Sequence, residues 1–227
     1  MVVTGAAGSI GRVVVDGLAE RWDVRATDRA GAGERLDVTD LGACTAAFGG
    51  ADAVVHLAAD PDPEASFAEL LGPNIVGAWT VASAAMAAGV RRLVLASSLQ
   101  AVSAYPLGHQ VQEHDAPRPA NVYGATKAWA EALGAWVAAS STTSVVALRI
   151  GLFADAPPRG PDVAARDVSS WLSPRDAVEL VRAAVESGGT GMVVINGVSN
   201  NRFRHADLRG AHRLGYAPVD DAWAAGT

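Results

Sequence analysis

Tyr123 and Lys127 stand four residues apart in "YGATK". On a helix that spacing puts both side chains on one face. A phenol with a pKa near ~10 is a poor base at neutral pH. A nearby ammonium stabilises the phenolate and lowers that value, so the pair suits a general base for an alcohol. Ser98 ends the apolar run "LVLASS" and is able to share the same substrate oxygen. Gly5, Gly8 and Gly11 in "TGAAGSIG" have the spacing of a loop that turns tightly around a pyrophosphate. Behind it, Ser9 and Ile10 open a helix whose first N–H groups point at the phosphates. Asp28 closes "VRATD", where a carboxylate accepts hydrogen bonds from adenosine ribose hydroxyls. It repels a 2′-phosphate, which favours NAD over NADP, and Arg29 next to it softens that preference. Asp37 and Val38 in "RLDVTD" are placed to flank an adenine ring.

Each feature also has a plain reading: a glycine turn, a solvated aspartate, a helix with an incidental Tyr and Lys. Their order along the chain argues against coincidence. The elements that must position them are legible too. Apolar runs such as "ADAVVHLAA", "RRLVLASS", "SVVALRIG" and "GMVVING" read as strands. They alternate with helical patterns at "IGRVVVDGLAERW", "LGACTAAFGG", residues 64–89, "VYGATKAWAEALGAWVAAS" and "SPRDAVELVRAAVES". The last begins with a Ser N-cap and a Pro at the first helical position. "LFADAPPRGPDVAARD" reads as irregular. Strand alternating with helix predicts an α/β, doubly wound parallel sheet (a Rossmann fold). Ligands of such sheets lie beyond the carboxyl ends of the strands, where Thr4–Gly11, Asp28, His56–Ala59, Ser97, Ser98 and Arg149–Gly151 fall. Only Met1, Val2 and Val3 precede Thr4, so the first strand is expected to be a stub.

The 227 residues suit one Rossmann-type domain over 1–227, with 152–175 and 198–227 as a small C-terminal, substrate-side segment. A formal charge of −6 argues against a nucleic-acid backbone as partner. No apolar run is read as reaching the ~18 residues that span a bilayer, and a signal peptide is not expected, since no basic segment leads into an apolar one at the N-terminus. The single cysteine, Cys44, excludes an internal disulfide and fits a reducing cytoplasm; it reads as a buried core thiol. The five histidines lack metal-ligand spacing, so no metal is expected. His56 reads as packed near the cofactor, His109 and His114 as solvated, and His205 and His212 as surface residues. Trp79, Trp129, Trp136 and Trp171 read as core or subunit contact. An exposed apolar face on the Tyr123 helix would favour a homo-oligomer.

The set "TGAAGSIG", Asp28, "HLAA", Asn74, "LASS", "YGATK" and "LRIG" resembles the extended short-chain dehydrogenase/reductases, the NAD-dependent epimerase/dehydratase group. By that resemblance Ser98, Tyr123 and Lys127 are the catalytic triad, and Lys127 also holds the nicotinamide ribose. Leu57, Ala58, Ala59, Asn74 and Ile150 join the cofactor contacts. Within the group, "ARDVSSWLSPRDAVELV", "VVINGVSNN" and "HRLGYAPVDDAW" are most similar to uronate dehydrogenases, which oxidise the anomeric hydroxyl of a cyclic sugar acid with NAD to a lactone. Arg166 aligns with their carboxylate clamp.

The substrate positions depart from that pattern. Leu99 and Gln100 replace an Asn and a His, Leu152 replaces a Ser, and "DPDP" stands where a sugar-contacting Ser is expected. An unpaired polar group in such a pocket costs ~1–3 kcal/mol, which is enough to change the preferred sugar. The expected substrate is a pentose, a deoxy- or terminally modified aldose, with a uronic acid retained through Arg166. Two alternatives stand beside this reading. A nucleotide-sugar epimerase/dehydratase shares the core but usually carries a larger C-terminal lobe than residues 152–227 supply. A non-catalytic dinucleotide-binding module predicts loss of the Tyr–Lys pair, which is present.

Overall fold

The computed structural model describes residues 1–31 and 33–224. Seven parallel strands form one sheet in the order β3-β2-β1-β4-β5-β6-β9. They are β1 (Val2–Thr4), β2 (Arg25–Asp28), β3 (Glu34–Arg35), β4 (Ala53–His56), β5 (Arg92–Ser98), β6 (Ser144–Ile150) and β9 (Met192–Gly197). β1 is the expected stub. It holds because both edges are paired, Val2 lying opposite Arg25 on one side and Val54 on the other. Every residue of β4 and β6 is buried, as parallel strands covered on both faces should be.

Consecutive strand residues feed opposite cores, because successive side chains point to opposite faces. Val3, Val94 and Val146 join one core, with Val14 of α1 (Ser9–Leu18) and Leu180 of α7 (Pro174–Glu186). Val2, Leu93 and Val145 join the other. There they meet Phe48 of α2 (Leu41–Phe48), Val81 of α4 (Gly77–Ala87) and Val137 of α5 (Val122–Ser140). At the head of α7, Ser173 caps the helix by accepting from the Asp176 N–H at 3.1 Å.

Three stretches differ from the sequence reading. The helix expected over 64–89 runs through α3 (Phe67–Leu70), a six-residue π-helical segment (Leu71–Val76) and α4. Pro73 lies in the widened turn, where its missing N–H and its ring are accommodated. Contrary to the expectation that no apolar run is long enough, Phe67–Ala87 is long and apolar enough to cross a membrane by length and composition. Half of it is buried within the domain, with small side chains such as Ala78, Ala82 and Ala85 facing inward. The stretch read as irregular contains β7 (Leu152–Phe153), which pairs in parallel with β8 (Trp171–Leu172), and a short helix α6 (Ala165–Ser169) between them. Near the C-terminus a further short helix, α8 (Arg209–Arg213), forms.

The segment after β9 is fastened beneath these pieces. Asn201 Nδ2 donates to the Ser169 and Trp171 carbonyls, and the Asp176 carboxylate accepts from the N–H groups of Val219 and Asp220. The last three residues of the stretch 198–227 lie outside the described residues.

Candidate active site

The glycine loop leaves β1 and enters α1. Gly5 has φ +73°, the left-handed region, and a Cβ there would lie 2.5 Å from the Ala58 nitrogen. A Cβ on Gly11 would lie 2.0 Å from the Gly5 carbonyl oxygen, so this glycine lets α1 start hard against the loop. Gly8 is the N-cap and supplies no side-chain cap. The first-turn N–H groups therefore face the adjoining cavity with their partial positive charge. Asp28, at the end of β2, holds the loop from the side: its two carboxylate oxygens accept from the N–H groups of Ala7 (2.9 Å) and Ala30 (3.0 Å). Backbone and carboxylate together make a cradle whose open space any β-carbon would close. It fits a dinucleotide.

Ser98 ends β5, and Tyr123 and Lys127 sit in the first turns of α5. Asn121 caps that helix through the Gly124 N–H at 2.7 Å. Gly124 lets its start abut the Gln100 carbonyl, where a Cβ would lie 2.3 Å away. These contacts set the helix against the strand end, so all three side chains line one cavity with the glycine loop. Lys127 is buried and donates to the Ala96 carbonyl at 3.1 Å; burial pulls its pKa down to about 8. Its Nζ lies 5.5 Å from the centre of the Tyr123 ring. Burial pushes the Tyr123 phenol up, the Ser98 hydroxyl counters it, and Asp60 pushes it further up. Desolvation of the phenolate is the largest effect, so the net shift is upward where a lowering was expected.

The cavity encloses about 420 Å³. Gly5, Gly8, Ser9, Ile10, Gly11, Leu57, Ala59 and Ile150 line its inner part. Leu99, Gln100, Leu152 and Arg166, all singled out in the sequence, line the rest. Pro61, Pro63, Phe153, Asp167 and Ser170 join them without having been singled out individually; the "DPDP" departure was the signal for the two prolines. Asp28, Asp37, Val38, Ala58 and Asn74 stand outside that lining. Ala58 backs Gly5, and Val38 packs against Gly77. The Asp37 carboxylate accepts from the N–H and hydroxyl of Thr39, and these bonds lower its pKa. Asn74 is buried, accepting from the Asp60 N–H (2.8 Å) and donating to the Asp60 carbonyl and Thr126 Oγ1.

Beneath Ser98, Tyr123 and Lys127 lies a group the sequence reading missed. Glu131, one turn beyond Lys127 on α5, meets Arg149 of β6 and Ser97 of β5 in the buried interior. Its signal was the four-residue step Tyr123, Lys127, Glu131.

The other titratable candidates resolve simply. His56 is buried beside Thr4, with Nδ1 2.8 Å from Thr4 Oγ1; burial, and then Lys127, bring its pKa to about 3. His109 is not simply solvated: its Nε2 lies 2.6 Å from Asp115 Oδ2 and its ring stacks on Tyr105. His205 is buried rather than on the surface. Cys44 is fully buried, and burial, with Asp40 and Asp37, raises its pKa to about 11. Among the described residues no group of three or more His, Cys, Asp or Glu is placed to hold a metal ion.

The model of the NAD dependent epimerase/dehydratase family matches residues 1–173. The chain is 37% identical to L-arabinose 1-dehydrogenase (NAD(P)(+)) of Haloferax volcanii, over 98% of this chain and 97% of the relative. It is 32% identical to the uronate dehydrogenase of Pseudomonas putida, over 98% of this chain and 84% of the relative. Among solved structures, a mutant uronate dehydrogenase of Agrobacterium tumefaciens complexed with NAD superposes with a TM-score of 0.88 at 31% identity, covering 98% of this chain and 85% of that one. With the family pattern spanning most of its length on this fold, the chain belongs to the NAD dependent epimerase/dehydratase family.

Proposed function

We propose that the protein oxidises the anomeric hydroxyl of a cyclic aldose to a lactone, with NAD as the acceptor. The observation that carries this reading is that Ser98, Tyr123 and Lys127 line the same cavity as the glycine loop. The relatives named above are dehydrogenases of L-arabinose and of uronates, which agrees with C1 as the reacting carbon.

NAD, when bound, would supply the hydride acceptor for C1. Gly5, Gly8 and Gly11 leave room for its pyrophosphate, and Ser9 and Ile10 offer backbone N–H groups to it. Asp28 receives the ribose hydroxyls on the lone pairs that Ala7 and Ala30 leave free. Asp37 and Val38 flank the adenine, and Leu57, Ala58, Ala59 and Ile150 wall the remainder. Asn74 supports this wall through Asp60. Ser98 orients the sugar O1, and the Tyr123 phenolate takes its proton. Lys127 stabilises that phenolate and holds the nicotinamide ribose. Leu99, Gln100, Leu152 and Arg166 face the sugar, with residues 152–175 forming the substrate side and residues 198–224 fastened beneath them. The substrate is a pentose, a deoxy- or terminally modified aldose, or a uronic acid. The compact β7–α6–β8 unit argues against a nucleotide-sugar epimerase/dehydratase, and the intact Tyr–Lys pair against a non-catalytic dinucleotide module. NADH formation across a panel of pentoses, deoxysugars and uronates tests the reading; NAD binding without turnover of any sugar would revive the non-catalytic one.

We also infer a homo-oligomer. Val76 and Trp79 on one helix, and Val122, Trp129 and Trp136 on its neighbour α5, are each between 38% and 45% exposed. Large apolar side chains clustered on two packed helices fit a second copy of the chain. A monomeric mass in solution at micromolar concentration would contradict this. The single, buried cysteine suits a reducing cytoplasm.

A further inference from the structure

Arg166 and Asp167 are consecutive on α6, and both line the cavity. They carry opposite charges. The Arg166 guanidinium is anchored on one side, where it donates to the Ser103 carbonyl at 3.1 Å. Its other N–H groups remain to be shared. The Asp167 carboxylate is exposed, and among the described residues no side-chain hydrogen bond or ion pair engages it. Behind Arg166 the next basic group is His205. Burial, then Arg166 and His109, push its pKa down, so it adds no second positive charge. Pro61, Pro63, Leu99, Leu152 and Phe153 add apolar surface to the same lining.

A site built for an anionic sugar needs an uncompensated cation, because a carboxylate brought out of water must be paired. Here the Arg166 cation shares the cavity lining with an anion, Asp167, the next residue of the chain. Such a neighbouring donor and acceptor match adjacent hydroxyls of a neutral sugar. One hydroxyl accepts from the guanidinium, and the next donates to the carboxylate. A substrate carboxylate drawn to Arg166 would meet Asp167 as a like charge, which is a repulsive element of the kind that sets specificity.

We propose that Asp167 is a specificity-determining residue that selects neutral aldoses and rejects uronates, acting together with Arg166. This rests on C1 oxidation as the reaction and names the substrate class within it.

The test compares two sugars with the same ring configuration. L-arabinose and D-galacturonate differ only in the carboxylate that the latter carries on C5. The wild-type protein is expected to have the higher kcat/KM for L-arabinose. Asp167→Asn keeps the side-chain shape and removes the charge. It is expected to raise the D-galacturonate to L-arabinose ratio of kcat/KM about tenfold, chiefly through KM for the uronate. Asp167→Ser is expected to move the ratio in the same direction, which separates charge from any effect particular to one variant. An unchanged ratio in both variants, with NADH still formed from both sugars, overturns the role of Asp167 and leaves C1 oxidation standing. NADH from neither sugar in any variant overturns C1 oxidation itself, and this inference with it.

Discussion

Arg149 and Glu131 form a two-pronged ion pair sealed from solvent, with Nε 2.8 Å from Oε1 and NH2 2.9 Å from Oε2. Their side chains are only 2% and 6% exposed. Ser97 Oγ adds a bond to Glu131, and the Arg149 guanidinium reaches the carbonyls of Gln112 and Asp115. One pair thus joins the end of β5, the helix carrying Tyr123 and Lys127, and the loop beyond β5. Removing one partner strands a buried charge, which typically costs about 3–5 kcal/mol. Glu131→Leu is expected to lose that much stability in urea unfolding, and the double variant Glu131→Leu with Arg149→Met much less. Equal losses in the two would contradict a charge-based account.

The role proposed for Lys127 comes at the expense of stability. Burial brings its folded pKa to about 8, against an unfolded value near ~10.4. The unfolded chain therefore holds the proton more tightly. The buried ammonium destabilises the fold fully below about pH 8, and that penalty fades as pH rises through about 10. Lys127→Met is expected to abolish turnover yet gain roughly 1–2 kcal/mol at neutral pH, after the lost bond to the Ala96 carbonyl is allowed for. The gain should shrink toward about pH 10. A variant less stable than wild type at pH 7 would contradict this.

As the proposed base, Tyr123 is expected to set the pH dependence of the rate. Burial raises its pKa, with Asp60 adding to the rise and Ser98 opposing it, so the phenolate is the minor form at neutral pH. The value of kcat/KM is expected to climb with pH between about 6 and 8, then flatten as Lys127 loses its proton. A flat profile over the lower range would rule out Tyr123 as the base.

Gly11 tests the cradle directly. A β-carbon there collides with the Gly5 carbonyl oxygen, a backbone atom that cannot swing away. Gly11→Ala is expected to weaken NAD binding at least about tenfold in calorimetric titration, corresponding to ~1.4 kcal/mol. Unchanged affinity would mean that the loop does not hold the dinucleotide.

The sheet was legible because its signals are local. Runs such as "AVVH" and "SVVALRI" are apolar throughout, and Ser173–Pro174 marks a helix start by its own chemistry. Even the three-residue β1 followed from Val2 and Val3. The π-helical segment was not legible, since Pro73 in an alanine-rich helical pattern reads equally as a kink or a stop. β7 and β8 were hidden as well: two-residue strands have no periodicity, and their pairing depends on contacts between Leu152 and Trp171 distant in sequence. That Ser98, Tyr123 and Lys127 share a cavity with the glycine loop was legible because their spacing is fixed by one helix and one loop. Asp167 and Glu131 were missed because each matters through what the fold places beside it. His205 was misplaced for the same reason, lying in a polar stretch that folds back under α6.

The account stands most directly on the identity of the product. L-arabinose and NAD should give NADH and the sugar lactone in equal amounts, the lactone seen by NMR before it hydrolyses, and Tyr123→Phe should stop both. NADH formed without a lactone, or full turnover in Tyr123→Phe, would contradict oxidation at C1 by this site.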